Sequence, residues 1–152
     1  QEEIDHLRAA GIAVEVVPGV TAALAAGAEL GASLTQRGLA RSVAFVTPRV
    51  GVGEGASNWA QSAAAADTAV IYMAAGEARA TREALIAAGV SPGIPVAVVE
   101  NASLDSSRIA GTLAQLELLL EGRGDGPVVI LLGRAMRKAA APALSVPAQK
   151  TA

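Results

Sequence analysis

Short apolar runs recur along this chain and constrain its fold more than any other feature. They are SVAFVT at 42–47, TAVIYMA at 68–74, VAVVEN at 96–101 and PVVILLG at 127–133. Each has the length of a strand, and most are bounded by Gly, Pro or Asp, which favour turns. A run that is apolar at nearly every position predicts a strand covered on both faces. Such a sheet needs helices on both sides. The intervening segments supply them: 2–10, closed by Gly11; Thr21, as N-cap, to about Leu30; 58–66; 76–89, closed by Gly89; and 113–122. In the first, Ile4, Leu7 and Ala10 or Gly11 share one side, and in the fourth Ala78, Leu85 and Ile86 are expected to point inward. Two weaker strands are expected, AVEVV at 13–17, ended by Pro18-Gly19, and SRIAGT at 107–112. The second follows 96–101 after only residues 102–106, so the pair predicts a hairpin. The expected architecture is α/β, with a mixed central sheet and flanking helices. One domain spans 1–137, and the Ala/Pro-rich 138–152 is expected to be a disordered tail.

Composition narrows the function classes. Hydrophobic residues make up 52% of the chain but aromatics only 2%, so the core must be built from Ala, Val, Leu and Ile. A net charge of -2 gives no general basic field for nucleic acid. Aromatics for base stacking are also scarce: Phe45, Trp59 and Tyr72 are the only ones, and they lie far apart in sequence. There is no cysteine and one histidine, His6, which excludes thiolate chemistry and cysteine- or histidine-rich metal sites. Gly, Pro or charge interrupts every apolar run, so no membrane span is expected. The opening QEEIDHLRAAG lacks the pattern of a signal peptide, and the expectation is a soluble, cytoplasmic protein. The chain does not begin with Met and opens within or at the start of a helix, so it reads as part of something longer.

The stretch VEVVPGVTAALAAGAELGASLTQRG, residues 14–38, is the most unusual in composition. A strand, a Pro-Gly turn and a helix start would leave backbone N–H groups free at the C-terminal edge of the sheet, where ligands usually bind in open α/β folds. The small side chains there have two readings: they admit a ligand to the backbone, or they allow close helix–sheet packing. Tyr72 and Met73 end a buried strand at the same edge, as ligand contacts or as core. Glu100 and Asn101 end another, as turn caps or as ligand contacts. Arg37 is either a carboxylate partner or a solvated arginine. GVGEG at 51–55 lacks the Lys-Ser/Thr of a phosphate loop and reads as a surface loop. Glu77, Glu83, Glu117 and Glu121 read as solvated helix faces, and no Ser-His-Asp set can be assembled.

Six blocks are informative together: VVPGVTAA, LTQRGLARSVAFVT, DTAVIYMA, IPVAVVENAS, GTLAQL and VVILLGRAM, in this order and spacing. Over residues 1–137 the chain resembles the C-terminal half of the uroporphyrinogen-III C-methyltransferases, tetrapyrrole methylases found alone or as the last module of a sirohaem synthase. The resemblance implies the C-terminal domain of a two-domain fold with the active site in the cleft between domains. It implies methyl transfer from S-adenosyl-L-methionine, leaving S-adenosyl-L-homocysteine, to two ring carbons of uroporphyrinogen III. The product would be precorrin-2, for sirohaem and cobalamin, and the enzyme a homodimer. The family's Gly-Asp-Pro cofactor loop and proposed acid/base residues belong to an N-terminal domain absent from this sequence, so no catalytic residue is expected here. The resemblance assigns Thr21, Ala22, Met73 and Ala102 to the cofactor and Arg37 and Tyr72 to the substrate. The chain departs from the family pattern at Gln36 (His there), Ala74 (Gly there) and Ala102 (often Gly there). Two alternatives stand beside this reading. One is another precorrin methyltransferase. The other is a non-catalytic dimerisation module with a large apolar contact surface.

Overall fold

The apolar runs form strands, and each strand sends alternate side chains to opposite faces. The computed structural model describes residues 1–51, 53, 55 and 57–139. Five strands make one sheet: β1 Val43–Val46, β2 Thr68–Tyr72, β3 Pro95–Glu100, β4 Ser107–Thr112 and β5 Val128–Gly133. Their order is β1-β2-β5-β3-β4. β1 and β2 are parallel, whereas β5 is antiparallel to both of its neighbours. β2 and β3 therefore run the same way, and their C-terminal ends emerge at one edge of the sheet. β3 and β4 form the expected hairpin, with Glu100 opposite Ser107.

Each face of the sheet has its own core. On one side, Ala69, Ile71, Val96, Val98, Ile130 and Leu132 pack with Ala63, Leu85, Leu116 and Leu119 from the helices. Those helices are α3 Trp59–Ala65, α4 Ala78–Ala87 and α5 Leu116–Leu120. On the other side, Val70, Ala97, Val99, Val129 and Leu131 meet Ala23 and Ala26 of α2 (Ala22–Glu29) and Met136 of the final 3-10 helix, Arg134–Lys138. The three inner strands are apolar at successive positions because both of their faces are covered.

Three expectations change. Residues 13–17 form no strand, because no neighbouring strand pairs with them among the described residues. Val17 and Val20 are 77% and 80% exposed, so the stretch is an exposed, mostly apolar ribbon after α1 (Glu2–Ala9). In α4, Thr81 and Leu85 are buried, whereas Ile86 is 39% exposed. Their spacing explains this: 81 and 85 stack on one face at i,i+4, and 86 is rotated off it. The expected helix 113–122 is a 3-10 turn, Leu113–Gln115, followed by the short α5. Lys138, the start of the expected tail, closes the last helix, and residues 140–152 lie outside the described residues.

Candidate cofactor corner

Two strands end at the shared edge with the same unusual backbone. Met73 follows β2 at φ +56°, and Asn101 follows β3 at φ +54°. Ser103 also sits in this left-handed region, at φ +70°. For residues other than glycine this conformation costs of order 1–3 kcal/mol, and it collects at sites where the chain must present particular atoms. Asn accepts it more readily than other side chains, and Met does not. Met73 is also 58% exposed, although the first four residues of β2 are buried.

Both corners leave main-chain groups unused. Among the described residues, no hydrogen bond outside the sheet ladder engages the backbone of Met73 or Ala102. The start of α2 does the same, because the first N–H groups of a helix have no partner within it. Thr21 is its N-cap and accepts from the Ala23 N–H at 3.4 Å, leaving the Ala22 N–H outward. Thr21 also bonds directly to strand β2: its Oγ1 lies 2.6 Å from the Tyr72 hydroxyl. The Tyr72 ring stacks on Phe45 of β1, with centroids 6.4 Å apart and planes 14° apart. Tyr72 and Ala102 both pack against the core beneath α2. Their strands are two positions apart, about 10 Å across the sheet, and Ala102 lies three residues beyond Val99, which is level with Tyr72. Thr21, Ala22, Tyr72, Met73 and Ala102 thus gather around the start of α2 and the ends of β2 and β3.

Glu100 turns inward. It is 6% exposed and accepts from Ser107 Oγ and the Gly126 N–H, each at 3.2 Å, with Arg123 Nη1 at 3.7 Å. It is therefore a buried cap of the loop before β5. Burial pushes the Arg123 guanidinium below its ordinary pKa, and the Glu100 charge works against that. The guanidinium also donates to the Leu119 carbonyl at 3.0 Å. A cavity of about 250 Å³ opens beside this loop, lined by Gly76, Arg123, Gly126 and Val128 among others.

Arg37 is not brought to this group. It is exposed in a turn closed by paired bonds of 2.8 Å between Gln36 and Ala40. The adjoining Gly38 shares a cavity with Arg41 and Asp67, next to the first residue of β2. Tyr72 is the last residue of that strand, so Arg37 stands at the opposite edge of the sheet. Asp67 ties that edge together, accepting from the Arg41 and Ser42 N–H groups at 2.8 and 3.1 Å. These bonds, first the one from Arg41, hold its carboxyl below the ordinary carboxylate pKa. Among the described residues no group of three or more His, Cys, Asp or Glu could hold a metal ion.

Sequence reasoning missed the two left-handed corners and the exposed Phe45. Asn101 carried a local signal, since Asn favours that conformation, but Met73 carried none. Phe45 looked like core because a single strand does not show which of its faces is covered.

A three-layered α/β domain, with helices on both faces of a mixed sheet and two strand ends sharing one edge, is what the geometry defines. The family profile for tetrapyrrole (corrin/porphyrin) methylases matches residues 1–117, and the chain belongs to that family. It is 40% identical over 134 residues to siroheme synthase 2 of Klebsiella pneumoniae subsp. pneumoniae. That match covers 88% of this chain and 29% of the relative. It is 41% identical over 133 residues to siroheme synthase of Edwardsiella ictaluri, covering 87% and 28%. The chain thus spans under a third of these curated relatives. A solved structure of uroporphyrin-III C-methyl transferase from Thermus thermophilus, complexed with S-adenyl homocysteine, superposes with a TM-score of 0.75 at 34% identity. It covers 90% of this chain and 59% of that one. A cobalt precorrin-4 methyltransferase superposes at 0.74 with 26% identity, covering 93% and 59%.

Proposed function

We propose that this chain is the C-terminal half of a uroporphyrinogen-III C-methyltransferase that takes its methyl groups from S-adenosyl-L-methionine. The reading extends to a homodimeric, cytoplasmic enzyme forming precorrin-2 for sirohaem and cobalamin. The observation that carries it is the pair of strand corners with free backbone at Met73 and Ala102, beside the open helix start at Thr21-Ala22. The relatives that share this sequence are siroheme synthases, and one solved neighbour binds S-adenyl homocysteine.

The residues fit such a ligand. Main-chain N–H and C=O groups at Ala22, Met73 and Ala102 suit an adenosine and an amino-acid chain, which carry both donors and acceptors. Ala22 and Ala102 add no bulk that would keep a ligand from the backbone. The Met73 thioether and the Phe45–Tyr72 stack offer apolar, polarisable surface. The cofactor supplies an activated methyl group on a sulfonium, and this corner's part is to hold the donor in place, a proximity effect. Arg37 as a substrate contact rests on the resemblance alone, and its place at the far edge separates it from this corner.

Calorimetry of S-adenosyl-L-homocysteine with the complete polypeptide carrying this chain tests the reading. Binding is expected, together with methylation of uroporphyrinogen III in preference to cobalt-precorrin substrates. No binding overturns it, and binding with preference for a later precorrin moves the assignment to another member of the family.

A further inference from the structure

The loop before β5 approaches the cofactor corner too closely for any side chain at one position. A Cβ on Gly126 would stand 2.3 Å from Asn101 Oδ1 and 2.7 Å from its Cγ and Nδ2. Two hydrogen bonds lock this approach. The Asn101 N–H donates to the Pro127 carbonyl at 3.0 Å, and the Gly126 N–H donates to Glu100 Oε1 at 3.2 Å. Glu100 is itself held by Ser107 and Arg123. The Asn101 carbonyl then accepts from the Leu104 N–H at 2.9 Å, which closes the turn containing Ala102.

We propose that the 123–127 loop is a positioning device, in which Gly126 and the buried Glu100 carboxylate set the left-handed backbone at Asn101. That fixes the direction in which Ala102 offers its free N–H and C=O. The inference rests on the reading of Ala102 as a cofactor contact. Gly126 touches no ligand; it acts through Asn101. A methyl group there must either push the loop away, which shifts the corner, or turn the Asn101 side chain off the loop, which ends their packing. Positional errors near 1 Å cost up to about a hundredfold where geometry matters.

The test is a double-mutant cycle in the complete polypeptide, read by S-adenosyl-L-homocysteine affinity and by amide exchange at Leu104. Gly126→Ala is expected to weaken binding about tenfold and to speed exchange at Leu104. Asn101→Gly, which keeps the left-handed backbone accessible but removes the atoms that Gly126 packs on, is expected to weaken binding about threefold at unchanged Tm. In that background Gly126→Ala should have no further effect. Gly111→Ala is the control. Its Cβ would meet Gln115 Oε1 at 2.7 Å, at the far end of β3, opposite Val96. It should lower Tm and leave affinity unchanged. The proposal is overturned if Gly126→Ala binds as the unaltered protein does, if the control weakens binding equally, or if the two corner substitutions are additive. If Gly126→Ala does not fold, unchanged affinity in Asn101→Gly overturns it. If the unaltered protein does not bind, the functional reading falls and the cofactor role with it. The Leu104 exchange still decides whether the loop holds the corner.

Discussion

Thr21 and Tyr72 share one hydrogen bond, 51 positions apart in sequence, and it joins a helix cap to a strand end. Their roles can be separated by substitution. Tyr72→Phe removes the bond and leaves the ring stacked on Phe45. Thr21→Val removes the bond and also the cap on α2, which is worth about 1 kcal/mol. Both are expected to weaken S-adenosyl-L-homocysteine binding, and only Thr21→Val should lower thermal stability clearly. Equal loss of Tm in the two variants would show that the bond, not the cap, holds α2. At the opposite edge Asp67 has a lowered pKa, so the folded state binds its proton less readily than the unfolded chain does. Its contribution is present above the ordinary value of 3.8 and is lost as pH falls through the lower folded value. Asp67→Asn should therefore reduce stability at pH 6, and the difference should shrink steadily below pH 3.8 in denaturant titrations.

Among elements, the buried and exposed apolar segments should respond in opposite ways. Leu85→Ala empties a fully buried site in α4 and should cost about 2–5 kcal/mol. Val17→Lys lies on the exposed ribbon and should change the stability of residues 1–152 by less than about 0.5 kcal/mol. A large loss there, measured by urea unfolding, would mean that the ribbon is packed in solution. The contrast shows what sequence could and could not reveal. The inner strands were legible because burial on both faces makes every position apolar. AVEVV has the same local composition as a strand, but a strand also needs a neighbour to receive its hydrogen bonds, and that is not written within five residues. The assignment of Thr21, Met73 and Ala102 to the cofactor came from the resemblance. The left-handed backbones at Met73, Asn101 and Ser103 arise from long-range packing, and Met73 shows no local trace of it. The small residues of α2 served packing: Ala23, Ala26 and Gly27 are buried, and a Cβ on Gly27 would come 3.0 Å from the Ala32 carbonyl.

For the whole molecule, residues 1–152 are expected to show no methylation of uroporphyrinogen III, while the complete polypeptide turns over. A radiolabelled methyl-transfer assay on both checks this, and activity in the shorter chain would overturn the division of labour. The strand order carries a further consequence, for synthesis on the ribosome. β5 is the last strand to be made, yet it lies at the centre of the sheet. Until it emerges, β1 with β2 and β3 with β4 can exist only as two separate ribbons, each with an unsatisfied inner edge. A stop codon just before Val128 would therefore not shorten the domain but divide it, leaving two sticky half-sheets for chaperones and proteases to deal with.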